Sequence, residues 1–215
     1  MTEAVNERPI MERLKTDTRS AHDDAEDQFF MRDLMAGTLP REVFAASLRP
    51  LQAIRACIEK HLQTNADHPA IAACIRPYHH FAHLYDSDVE YFGVASDRSA
   101  EDLKSVQEFC RLVKDAEDAD PVNLLGIFYV LEGSNMGASM LRVKVQESYE
   151  IEGSEGTGAM VPHGRDLMPR WREFVECMNN LGLSAKQREA ILASASNTFR
   201  VMGNLYREIY QPAES

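Results

Sequence analysis

Apolar residues recur at three- and four-residue spacings along nearly the whole chain, and no stretch alternates with a two-residue period between turn pairs such as Asn-Gly or Asp-Gly. The pattern predicts an all-α fold. A first helix is expected over residues 10–36, where Met11, Leu14, Thr18, Ala21, Ala25 and Phe29 form one stripe, with Gly37 as its stop and a kink near Asp27. A second is expected from Thr38 as N-cap, with Pro40 and Glu42 in the first turn, through Phe44, Leu48, Leu51, Ile54 and Ile58 to about residue 63, bent at Pro50. Short helices follow between 67 and 93, one of them carrying Leu84, Val89 and Phe92. A helix over about 100–114 precedes the acidic stretch 115–120, and Asp120 with Pro121 starts the next, about 122–146. That helix opens apolar on all sides, as one in the middle of a bundle does. Gly153, Gly156 and Gly158 mark a mobile loop, and two more helices span about 164–181 and 184–210, the second capped by Ser184 with Gln187 three residues on.

The 215 residues contain no Pro/Gly/Ser-rich linker, so one helical domain over 10–210 is expected between a flexible N-terminus, 1–9, and a short tail, 211–215. A net charge of −11 repels phosphate backbones and anionic lipid, which argues against nucleic acid and membrane as partners. Cys57, Cys74, Cys110 and Cys177 form no CxxC pair, which suits reduced thiols in a cytoplasmic protein. No signal-peptide core is visible near Met1, and the most apolar run, 124–131, stops at Glu132, too short to cross a bilayer.

Two groups of residues are candidates for chemistry. Steps of four, three and four place Lys15, Arg19, His22 and Glu26 along one helical face, where a carboxylate one turn from an imidazole can accept its Nδ1–H and leave Nε2 for a metal. The same spacing also describes an ordinary solvated His–Glu pair. Gly126, Gly133 and Gly137 share one face of a buried helix, although each glycine costs about 1 kcal/mol against alanine there. Such a face suits either close packing of a second helix or contact with a flat ligand. Other features read as structural: His79, His80 and His83 as part of a packed surface segment, His163 as a loop residue, and Met31, Met35, Met136, Met140 and Met202 as core filler, although Met136 is also placed to touch a bound ring. No Ser-His-Asp order, P-loop or dinucleotide fingerprint is present.

Leu14-Lys15, Thr18, His22, Ala25-Glu26 and Phe30-Met31-Arg32 resemble the proximal helix of the haem oxygenases, and Tyr129-Val130-Leu131-Glu132-Gly133-Ser134-Asn135-Met136-Gly137 resembles the distal helix of the bacterial, biliverdin-forming branch. Weaker similarity covers Leu84, Asp88-Val89, Gly93, Trp171, Phe174, Leu181 and Phe199. The resemblance implies a single helical domain with haem b between the two helices. It makes His22 the axial iron ligand with Glu26 fixing its tautomer, and Gly133, Ser134 and Gly137 the distal catalytic segment. It also implies Lys15, Arg19 and, more loosely, Arg172 at the propionates, and Met136 and Phe199 against the ring. Ser134 stands where animal members have an aspartate that organises proton-delivering water, Ala138 replaces a third glycine, and Phe128 and Val130 replace a tyrosine and an arginine. The chain ends at Ser215 without the hydrophobic tail of animal members. The implied reaction uses O2 and electrons from a ferredoxin or flavoprotein reductase to convert haem to biliverdin, carbon monoxide and ferrous iron. A haem carrier or sensor on the same scaffold, or a thiaminase-like enzyme of the same architecture, are the alternatives.

Overall fold

The structure, a computed structural model, describes residues 8–94 and 100–212, so most of the expected flexible N-terminus and part of the tail lie outside the described residues. Ten α-helices and no strand occur among the described residues: α1 Ile10–Asp17, α2 Arg19–Glu26, α3 Phe29–Ala36, α4 Arg41–Thr64, α5 Pro69–Cys74, α6 Leu84–Tyr91, α7 Lys104–Ala119, α8 Leu124–Tyr149, α9 Leu167–Asn180 and α10 Ala185–Ile209.

The expected first helix is three. Thr18 is buried at the junction of α1 and α2, with φ −102° and ψ 6°, and its Oγ1 donates to the Leu14 carbonyl at 2.6 Å. A second break falls at Asp27 and Gln28, where the expected kink lies, with Gln28 in extended backbone. Gly37 stops α3 in the left-handed region at φ 75°, and a side chain there would also meet Lys144. Thr38 is not the next N-cap: its N–H bonds back to the Asp33 carbonyl, and Pro40 precedes α4. α4 passes through buried Pro50 without ending.

Helix α7 runs past the expected stop to Ala119, because Val106, Phe109, Val113 and Ala116 continue one buried stripe under the acidic residues. Asp120 then caps the turn at Pro121 as expected, accepting the Val122 N–H at 3.0 Å. α8 is longer than expected, since Val145 and Tyr149 stay buried and the Tyr149 hydroxyl donates to the Leu39 carbonyl at 2.9 Å. The Ser184–Gln187 capping box opens α10 as expected, whereas α9 is preceded by a 3-10 turn at Gly164–Asp166. No helix among the described residues is long and apolar enough to cross a membrane.

α8 and α10 are the central pair, with α2, α4 and α7 packed around them. Gly126 permits their closest approach. A Cβ there would stand 2.2 Å from the backbone oxygen of Ile191 on α10, inside any allowed contact. That face of α8 is closed by packing. One turn and more further along, the same helix forms the wall of a cavity.

Candidate functional site

A cavity of about 520 Å³ opens between α2 and α3 on one side and α8 on the other, within the size range of small-molecule sites. α4, α6, α9 and α10, with Phe81, Ala159 and Met160 between helices, supply the remaining walls. His22, Glu26, Gly133, Ser134, Met136, Gly137 and Phe199 all line it, so the two sequence segments singled out for chemistry face each other across one space. Lys15, Arg19 and Arg172 do not line it; the Arg19 Nε donates to Asp23 at 2.8 Å, and among the described residues Arg55 is the one Lys or Arg in the lining.

The His22 side chain is 42% exposed, and its ring meets the Phe199 ring edge-on with centroids 5.3 Å apart. Glu26 does not reach Nδ1 as expected. Asp23 Oδ1 lies 3.3 Å from Nδ1, while Glu26 Oε1 lies 3.5 Å from Nε2, because a carboxylate one turn on runs alongside the far side of the ring. These three side chains place ligand-type atoms within 4.8 Å of one another. The Arg19 hydrogen bond holds the Asp23 carboxyl below its ordinary range, which keeps it an acceptor for a ring N–H.

The three glycines of α8 divide by what surrounds them. Gly126 is a packing residue, a Cβ at Gly133 would rest in ordinary contact 3.5 Å from Trp171, and a Cβ at Gly137 would meet nothing within 4 Å. Met31, Met35, Met136, Met140 and Met202 all line the cavity; Met202 is also part of the core as expected, while Met140 is 80% exposed at the rim. Flexible thioethers suit a wall that must adapt to a large apolar ligand. The Ser134 hydroxyl donates within its own helix to the Leu131 carbonyl at 2.8 Å, so only its oxygen lone pairs remain for the cavity.

Behind α8 lies a polar cluster that the sequence reading missed. Glu132, His79 and His163 are buried; His79 departs from the expected surface segment, whereas His163 lies in a loop as expected but is enclosed. His163 Nε2 is 2.5 Å from Glu132 Oε1, Arg55 Nη2 is 3.4 Å from Oε2, and Arg55 Nε donates to Glu59 at 2.9 Å. The guanidinium of Arg55 also covers the Phe81 ring at 3.7 Å. Burial acts to raise the Glu132 carboxyl, but the His163 hydrogen bond and the Arg55 charge overcome it and hold the group below its ordinary range. Burial pushes His79 down to about 4, so it is neutral, and its Nδ1 accepts the Arg76 N–H at 3.0 Å. The available signal was Glu132 itself, a charge directly after an apolar run that predicts a buried helix. Asp88, also buried and in the cavity lining, accepts the N–H groups of Gly158 and Ala159, both at 2.8 Å, and so fixes the glycine-rich loop against the site.

The Heme oxygenase family model matches residues 8–208. Curated relatives include rabbit (Oryctolagus cuniculus) Heme oxygenase 2, 26% identical over 207 residues, and human (Homo sapiens) Heme oxygenase 1, 21% identical over 207 residues; each alignment covers 94% of this chain. The alignments span 66% and 72% of the length of those relatives. Among solved structures, heme oxygenase from Leptospira interrogans superposes with a TM-score of 0.86 at 18% identity, covering 94% of this chain and 100% of that one. Heme oxygenase-1 from Synechocystis, solved in complex with heme, superposes at 0.83 with 16% identity, covering 94% and 92%.

Proposed function

The chain belongs to the heme oxygenase family, and from that premise we propose that it is a haem-degrading oxidoreductase with haem b as both cofactor and substrate. The observation that carries this reading is the opposition of His22 on α2 to the open face of α8 at Gly137, across an apolar cavity. Haem would supply its own iron to activate O2 and its porphyrin ring as the carbon to be oxidised, yielding biliverdin, carbon monoxide and ferrous iron. His22 Nε2 would hold the iron. Asp23 would then accept the Nδ1–H and fix the tautomer, and Glu26, 3.5 Å from Nε2, would have to turn away to clear that nitrogen.

Phe199 sets the plane of the imidazole, and Met136 with the other cavity methionines packs against the ring. The missing side chains at Gly133 and Gly137 let backbone approach the ring face, with Trp171 closing the space beside Gly133. Apolar walls exclude bulk water, which confines proton delivery to waters held by the few polar groups of α8, including the Ser134 oxygen. Lys15 and Arg19, with Arg172 as a looser candidate, would meet the propionates, Arg19 by giving up its exposed hydrogen bond to Asp23, whereas Arg55 is held inside the fold by Glu59 and Glu132. A ferredoxin or flavoprotein reductase would supply electrons, in keeping with a cytoplasmic site of action.

The test is a haem titration followed by turnover with O2 and a reductant. Loss of the haem spectrum with a rise of bilin absorbance is expected. Stable haem binding without bilin formation would identify a carrier, and failure to bind haem would overturn the reading. Gly137→Leu is expected to remain helical and to lose ring oxidation.

A further inference from the structure

We propose that Asn135 presents a hydrogen-bond acceptor to the cavity, and that the chain Arg170–His163–Glu132 fixes this polarity. The proposal rests on the haem-site reading above and adds a positioning device behind α8. It follows from a sequence of forced donor and acceptor roles. A guanidinium can only donate, and Arg170 Nη1 lies 3.0 Å from His163 Nδ1, so Nδ1 accepts and the single ring proton sits on Nε2. That proton points at Glu132 Oε1, 2.5 Å away. The Glu132 carboxylate, held ionised, can only accept.

Its second oxygen, Oε2, faces Arg55 Nη2 at 3.4 Å and Asn135 Nδ2 at 3.2 Å. Because a carboxylate offers no proton, the end of the Asn135 amide facing it must be the nitrogen. The carbonyl oxygen is then at the other prong of the planar group. Oδ1 accepts no hydrogen bond from a described residue, and Asn135 lines the cavity. Its neighbour Ser134 has already given its hydroxyl hydrogen to Leu131. Asn135 is therefore the acceptor that orients a water on the α8 side of the bound ligand, while Glu132 and His163 act through it as positioning residues. Arg170, stacked over Tyr78 at 4.3 Å, anchors the far end of the chain.

The decisive variant is Glu132→Gln. With His163 still an Nε2 donor at one prong and Arg55 Nη2 a donor at the other, the introduced amide has one oxygen for two donors. With that oxygen on the shorter His163 contact, its NH2 faces Asn135 and displaces Arg55 Nη2, which keeps Glu59 and the His79 carbonyl as partners. Asn135 must then flip, giving its oxygen to that NH2 and its own NH2 to the cavity. In the double variant E132Q/N135D the introduced amide donates instead to the introduced carboxylate, whose other oxygen restores the cavity acceptor.

Two readouts follow the polarity. In the ligand-free protein, solvent exchange of the Asn135 side-chain NH2, followed by 15N-resolved NMR, is expected to accelerate at least tenfold in E132Q. In the haem-loaded ferric protein, the pH of the acid-to-alkaline spectral change is expected to fall by about one unit in E132Q and to return in E132Q/N135D. Asn135→Leu, which leaves the buried charges intact, is expected to shift it in the same direction and covers the case in which E132Q does not fold. Unchanged exchange in folded E132Q, or an unshifted transition in N135L, overturns the proposal. If the parent protein itself fails to bind haem, the functional reading falls, and the exchange experiment still decides the polarity.

Discussion

The three glycines of α8 can be separated by adding one methyl group at a time. Gly137→Ala places its Cβ in open space, so the helix gains its intrinsic preference for alanine, about 1 kcal/mol. For a chain of this size that raises Tm by about 2–4 °C. Gly126→Ala has the same intrinsic gain but drives a Cβ to 2.2 Å from the Ile191 carbonyl oxygen and 3.0 Å from its carbon. The obstacle is backbone in the middle of α10, so relief requires the two central helices to move apart, at a cost of about 1–3 kcal/mol for overpacking and more if they cannot. The expected balance is a loss of up to about 2 kcal/mol and a Tm up to about 8 °C lower. Gly133→Ala, in ordinary contact with Trp171, lies between the two.

Thermal unfolding by circular dichroism of the ligand-free variants measures this order, and haem titration measures the opposite one. Gly137→Ala weakens haem binding while stabilising the protein, because its methyl projects where the ligand lies. Gly126→Ala binds haem normally once folded. If Gly137→Ala lowers Tm as much as Gly126→Ala, the open face of α8 is a packing surface and not a ligand face.

His22→Ala is expected to abolish the native haem spectrum and turnover, with added imidazole restoring part of both; an unchanged Soret band would remove His22 as the ligand. Reversing Lys15 and Arg19 to glutamate is expected to weaken haem affinity and to alter the mixture of biliverdin isomers, read by chromatography of the products, and unchanged affinity and product would refute the propionate assignment. The pH dependence of stability follows from His79, held neutral with its pKa near 4 against an ordinary 6.5. The unfolded chain takes up this proton first, so His79 contributes stability that is present above pH 6.5 and is lost as pH falls toward 4. A depression of that size corresponds to about 3 kcal/mol. Urea unfolding at pH 7 and pH 4.5 should therefore show a drop smaller by about 2–3 kcal/mol in His79→Gln than in the parent, and parallel drops would contradict it.

Periodicity, caps and stop residues were enough to place most helices, since each is a local consequence of where the apolar stripe runs and which side chain can satisfy a helix end. Asp120, Gly37 and the Ser184–Gln187 box sit where the sequence puts them. Local pattern also brought His22 and the Gly133–Gly137 segment forward as the two halves of a site, because an imidazole among charges and glycines inside a helix each depart from what helix stability alone would select. What it lacked was the third dimension. Helix α7 continues through acidic residues only because its other face lies in the core. Gly126 and Gly137 are equivalent as helical glycines, and only the position of α10 makes one a packing contact and leaves the other open. Glu132, His79 and His163 come from three separate segments, and nothing in any one of them specifies the others. Their burial around a single carboxylate is a property of how α8 packs against the chain around it, which is why the polar side of the site belongs to the tertiary structure alone.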